Sequence, residues 1–142
     1  MEHIQWNCPA PIGIAQLDEQ HWELHRLLWR LLQTLDTDPD GAVPEFQFIQ
    51  LAKQTFDHFK SEERSFITLG YPGFVSHQID HQRILERFRE NLNRWNGPGA
   101  PPLVDLVEEF GRTTQRHLDT EDNAFAMWLE EKECPGAYRQ DH

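Results

Sequence analysis

Two patterns laid over one another constrain the fold of this chain: apolar residues recur at alternating four- and three-residue intervals, and three breaker-rich stretches interrupt them. The breakers run from Asp36 to Glu45 (DTDPDGAVPE), Gly70 to Gly73 (GYPG) and Asn96 to Pro102 (NGPGAPP). Proline lacks an amide proton and glycine costs backbone entropy, so such clusters end helices. Four segments remain. In the first, Leu17, His21, Leu24, Leu28, Leu31 and Leu35 share one helical face. The second places Phe48, Leu51, Thr55, Phe59, Glu62, Phe66 and Leu69 on a stripe, with His58 beside Phe59. The third runs from about Phe74 through His77, His81, Ile84, Phe88 and Leu92 to Trp95, and the fourth carries Leu103, Leu106, Phe110, Thr113, His117, Phe125 and Leu129. Asp18 is expected to cap the first helix, and Pro44 suits the first turn of the second. No β-branched alternation competes, repeats are absent, and short loops favour antiparallel neighbours. The expected fold is all-α, an up-down-up-down antiparallel four-helix bundle over about residues 17–133 with an N-terminal arm, in which Trp6 folds over one bundle end.

A chain of 142 residues with 38% hydrophobic content suits one domain and is too short for two ordinary ones. Its 24 acidic residues against 13 basic ones give a net charge of −11, which repels nucleic acid and anionic membrane surfaces. The start MEHIQW has neither a basic cluster nor an apolar run, and nowhere do roughly eighteen apolar residues follow one another, so a cytoplasmic protein without membrane insertion is expected. Cys8 and Cys134 are expected to be free thiols, although an even number of helices brings both termini to one end.

The informative anomaly is that titratable residues interrupt the apolar stripe of every helix. Spacing alone says little: HxxxH occurs twice among eight histidines, where chance gives roughly 0.45. Any one histidine suits an ordinary hydrogen-bonded core position. Four helices sharing the anomaly is another matter, because an unpaired buried charge costs several kcal/mol. Imidazoles and carboxylates projecting into one bundle centre satisfy one another by ligating cations, and more than four such ligands suit two metals.

These residues resemble the hemerythrins, specifically their bacterial single-domain members, from Trp6 to about Leu129. The carrying elements are LDEQH ending at His21, HFKSEE giving His58 and Glu62, HQIDH giving His77 and His81, and HLDTED giving His117 and Asp122. All seven ligand positions of that family match. The resemblance implies two non-haem iron ions, one on His77, His81 and His117 and the other on His21 and His58, with Glu62, Asp122 and an oxo or hydroxo group bridging them. It leaves one iron a ligand short, and so implies reversible dioxygen binding with no catalytic side chain, by a non-enzyme that acts as carrier, store or sensor. A monomer is expected, with a reductase or an oxygen-using protein as a possible partner. The alternatives are a di-iron enzyme, such as a peroxidase or nitric-oxide-handling protein, and an iron-responsive regulatory module.

The acidic residue after His117 is where bare geometry and resemblance part. An ideal helix puts Glu121 about 40° from His117 and Asp122 about 140° away. The family motif selects Asp122, which a π-type bulge or an approach from the helix flank would allow. His25 has no place in that motif and is expected at the surface or behind the ligands. Leu24, Leu28, Phe59 and Leu118 are expected to form a dry wall beside the irons, with Thr114 a polar interruption if it faces them. Asp36, Asp38, Asp40 and Gly41 copy the opening of a calcium loop, but Gln47 stands where that loop needs a bidentate glutamate, so these aspartates are expected to serve turns and caps. Trp22, Trp29, Trp95 and Trp128 are expected to pack in the core or between helices.

Overall fold

A computed structural model describes residues 11–95 and 97–133. Cys8, Cys134, Trp6, His3 and His142, and with them most of the N-terminal arm, lie outside the described residues. Helices span Ala15–Thr37 (α1), Ala42–Leu69 (α2), Phe74–Trp95 (α3), Leu103–His117 (α4) and Asn123–Glu133 (α5). A π-helical turn, Leu118–Asp122, joins the last two; the flanking His117 and Asn123 keep right-handed helical angles, so α4, the turn and α5 form one continuous fourth rod. Among the described residues there is no strand, and no helix is long and apolar enough to cross a membrane.

The rods close into an antiparallel bundle, with α1 on α2, α2 on α3, α3 on α4 and α4 back on α1. The direction is visible in the side chains that meet. Phe66, Phe59, Phe56 and Phe48 of α2 touch Phe74, His81, Phe88 and Trp95 of α3 in that order. Along α3, Ser76, Asp80 and Arg87 meet Glu121, His117 and Glu109.

Two local devices set the ends of the rods. Asp18 does not cap α1, which starts ahead of it at Ala15. Its carboxylate instead accepts the amides of Ile12 (2.7 Å) and Gly13 (3.2 Å), tying the preceding chain back so that Ile12 is buried. A carboxylate in the first turn also complements the helix dipole. Helix α2 stops at Gly70, whose φ of +69° is left-handed, with Gly70 N–H on Ile67 O (3.3 Å) and Tyr71 N–H on Phe66 O (3.0 Å). That pairing consumes carbonyls the helix leaves open, and the Phe66 and Tyr71 rings, 5.3 Å apart, seal it.

Burial follows the sequence stripes, in two apolar clusters. One contains Leu28, Leu31, Leu35, Phe48, Leu51, Phe59, Ile84, Phe88, Leu106 and Phe110; the other contains Ile12, Leu17, Phe66, Tyr71, Phe125 and Leu129. Trp95 packs on the first and Trp128 on the second, as expected of them. Trp22 and Trp29 do not: each is 57% exposed. They follow the buried His21 and Leu28 by one residue, and one residue turns a helical side chain about 100° off the stripe.

Leu31→Ala should therefore destabilise the protein by about 2–5 kcal/mol, while Trp29→Ala, two residues away, should change stability by no more than about 0.5 kcal/mol. Chemical denaturation of both variants measures the difference, and comparable losses would contradict the assignment of faces.

Candidate metal centre

Between the two apolar clusters every rod turns a polar residue inward at the same level. His21 lies between Leu17 and Leu28 on α1, Glu62 between Phe59 and Phe66 on α2, His77 and His81 between Phe74 and Ile84 on α3, and His117 and Asp122 between Phe110 and Phe125 on the fourth rod. His58 completes the layer from α2. All seven are buried, with Glu62 and His77 wholly so.

The structure brings these seven side chains into one cluster. The Nε2 atoms of His77, His81 and His117 lie 3.6, 3.1 and 3.9 Å from Glu62 Oε1, and those of His77 and His117 lie 2.8 and 3.1 Å from Asp122 Oδ1. On the other side, His21 Nε2 lies 3.3 Å from Asp122 Oδ2 and 3.7 Å from Glu62 Oε2, and His58 Nε2 is 3.6 Å from Glu62 Oε1. Two sets of donor atoms result, His77 with His81, His117 and Glu62, and His21 with His58 and Glu62, and they share the glutamate.

Hydrogen bonds on the far side of the rings decide what the inner nitrogens can do. His81 Nδ1–H donates to Glu63 Oε2 (3.0 Å), His117 Nδ1–H to Asp80 Oδ2 (2.6 Å) and His58 Nδ1–H to Gln20 Oε1 (2.6 Å). Carboxylate and amide oxygens only accept, so the hydrogen sits on Nδ1 and the inner Nε2 of each neutral ring is a bare lone pair. Yet the Nε2 atoms of His81 and His117 stand 3.1 Å apart; His77 Nε2, on a ring whose Nδ1 has no partner, lies 3.0 Å from that of His117. The lone pairs of His81 and His117 repel at that distance unless a proton or a metal ion lies between them. Two imidazole nitrogens bound at right angles to one metal, each about 2.1 Å from it, are about 3.0 Å apart. The spacing therefore fits metal ligation. His21 Nε2, His58 Nε2, Glu62 Oε2 and Asp122 Oδ1 are moreover buried without a hydrogen-bond partner, which proteins rarely tolerate.

The electrostatics show the same demand for positive charge. Burial disfavours every charge here, but the surrounding imidazoles hold the Glu62 carboxyl well below the usual range. Asp122 falls to about 2, against burial and the neighbouring Glu62, through His117 and His21. His117, against burial, is pushed up to about 12 by Asp122, Asp80 and Glu62, and His21 and His77 are raised by the same two inner carboxylates. Two ionised carboxylates in an apolar shell require cations, and bound metal ions supply them without reversing the tautomers.

The position of Asp122 follows from the π-helical turn. Inserting one residue between His117 and Asp122 turns the aspartate back onto the inner face, where it is buried. Glu121 is carried outward and accepts a hydrogen bond from Ser76 Oγ (3.1 Å). His25 is half-buried beside the Trp22 ring, where burial lowers its pKa, and belongs to neither donor set. Sequence reasoning missed Gln20, Glu63 and Asp80. Each is a sequence neighbour of an inward-facing residue of the cluster, but it supports a ring on the following helix, a relation that spacing along one chain segment does not reveal.

A cavity of about 60 Å³ adjoins the centre between α1, α2 and the fourth rod. That is room for one or two water-sized molecules. Its walls include Leu24, Leu28, Phe59 and Leu118, together with Leu51 and Phe110. Thr114 also lines it, with its hydroxyl donated to Gly111 O at 3.0 Å, and so does His25.

Comparison with known proteins agrees with this geometry. The model of the hemerythrin HHE cation-binding domain family matches residues 12–129. The chain is 27% identical over 128 residues to a bacteriohemerythrin from Aquifex aeolicus (strain VF5), an alignment covering 89% of this chain and 97% of that protein. No solved structure matches significantly. Since the family match takes in all four rods and the whole polar layer, the chain belongs to the hemerythrin family.

Proposed function

We propose that this protein binds dioxygen reversibly at a centre of two non-haem iron ions and is not an enzyme. His77, His81 and His117 would hold one iron and His21 and His58 the other, with the Glu62 and Asp122 carboxylates shared between them. Bound as a ferrous pair, the irons supply the two electrons that reversible dioxygen binding requires. One observation carries the reading: the cavity is lined by His21, His58, His117 and Asp122 but not by His77 or His81, so it opens toward the two-histidine side, which has fewer protein ligands.

The residues around that opening do the rest. Phe59 stacks on the His81 ring at 3.9 Å and Phe66 lies 4.4 Å from the His77 ring, fixing both imidazoles and keeping them out of the cavity lining. Leu24, Leu28 and Leu118 keep the cavity largely apolar, which favours a small uncharged diatomic over ions and limits proton delivery. The peroxidase alternative has one observation in its favour, the presence of His25 and Thr114 in the same lining. Thr114 has committed its proton to Gly111, and the rest of the wall is mostly hydrocarbon, which supports binding over turnover. A separate reductase that returns oxidised iron to the ferrous state is the partner this reading needs.

The anaerobically reduced protein should be nearly colourless, gain visible charge-transfer bands on exposure to oxygen and lose them when oxygen is removed. Irreversible oxidation alone, followed by absorption spectroscopy, would refute reversible carriage. Stripping iron should lower the melting temperature by roughly 10 °C or more, because it leaves two buried carboxylates among the imidazoles without their cations; equal melting of the two forms in calorimetry would contradict the site. Asp122→Ala should reduce bound iron well below two per chain and Glu121→Ala should leave it nearly unchanged, as measured by elemental analysis, and the reverse result would reassign the bridge.

A further inference from the structure

The partners behind the histidines are not alike on the two sides of the centre. In the three-histidine set, two rings lean on carboxylates, His81 on Glu63 and His117 on Asp80. Glu63 is itself oriented by Gln78, whose Nε2 donates to its other oxygen at 3.1 Å. In the two-histidine set the partner is neutral: His58 donates to the Gln20 amide, which is held in place by its Nε2–H bond to Ser61 Oγ (3.3 Å). Each set also has one ring whose Nδ1 is buried without a hydrogen-bond partner, His21 in this set and His77 in the other, so the difference lies in the partners of His58, His81 and His117.

A carboxylate behind an imidazole makes the ring a stronger donor and adds negative charge just beyond the metal, whereas an amide fixes the ring without the charge. Two such carboxylates serve one metal position and none serves the other. The Phe59 and Phe66 rings pack on His81 and His77, whereas both rings of the two-histidine set line the cavity and His117 is the one ring of the other set that does.

We infer that the two metal positions are unequal by construction: the three-histidine position, backed by Glu63 and Asp80, holds its iron more tightly, and the two-histidine position, backed by Gln20, is the first to lose its iron. Glu63, Asp80 and Gln20 are positioning residues that set this order through the rings they support. The inference rests on the di-iron reading above and extends it to the individual positions.

The test uses the iron-loaded, anaerobically reduced protein titrated with a ferrous chelator, following bound iron per chain and the Mössbauer spectrum. Iron should leave in two steps separated by about tenfold or more in chelator concentration, with a plateau at one iron per chain. Glu63→Gln and Asp80→Asn keep the shape of each partner but remove its charge. Each should weaken retention of the last iron by about ten- to a hundredfold and narrow the plateau. Gln20→Glu should act in the opposite sense, strengthening retention of the first-lost iron, a gain that damage to the fold does not produce. Loss of both irons in a single step from the wild-type protein, or a plateau that none of the three substitutions moves, would overturn the inference while leaving two irons per chain in place. Wild-type protein that never holds more than one iron would instead overturn the di-iron reading on which the inference rests.

Discussion

Two carboxylates, Glu62 and Asp122, sit at the middle of the bundle with almost no access to solvent, and both stay ionised because imidazoles surround them. A buried anion is tolerated only where positive charge meets it, and the histidines here are arranged to share that charge rather than to quench it one to one. Much of the rest follows from this constraint. The polar layer divides the apolar core into two clusters, each of which must be large enough to hold the rods together on its side. The rods must also stay in register, since one residue of slippage in any of them would withdraw its polar side chains from the layer.

Register is reinforced by a relay of hydrogen bonds that runs around the bundle. Gln20 on α1 supports His58 on α2, Glu63 on α2 supports His81 on α3, and Asp80 on α3 supports His117 on the fourth rod. In each case the supporting residue is near an inward-facing group on its own helix and reaches the ring on the next. The same bonds that orient the rings therefore also tie adjacent helices together, so preorganisation of the centre and cohesion of the bundle have a common source. The relay changes character as it proceeds, from an amide to two carboxylates, which makes the centre electrically lopsided. The cavity lies toward the less charged side.

The fourth rod shows how a local irregularity serves the centre. His117 and Asp122 are five residues apart, which in a regular α-helix places them on nearly opposite faces. The π-helical turn absorbs one residue and brings both inward, while Ser76 anchors the displaced Glu121 outside. A widened turn packs less favourably than an α-helical one and persists where its surroundings hold it. Here those surroundings are the buried Phe125 and Leu129 immediately after it and the His77 contact with Asp122.

The four helices, their approximate limits and the buried face of each were legible in the sequence, because periodicity and breakers act locally and each stripe is apolar on both sides of its polar residues. The existence of a buried polar layer was legible for the same reason, since His21, Glu62, His77, His81 and His117 fall on those stripes. Asp122 was not: it lies off the ideal stripe, and only resemblance to a family selected it over Glu121. Asp18 was misread as a cap because its partners, the amides of Ile12 and Gly13, depend on the preceding chain folding back. Trp22 and Trp29 were misread as packed because size and hydrophobicity do not say which way a residue one step off the stripe will point. Gln20, Glu63 and Asp80 became visible only in three dimensions, as did the side on which the cavity opens. The sequence by itself determined what each helix turns inward, a property of a single segment. Only the tertiary structure decided which ring meets which carboxylate, because that depends on the contact between segments far apart in the chain.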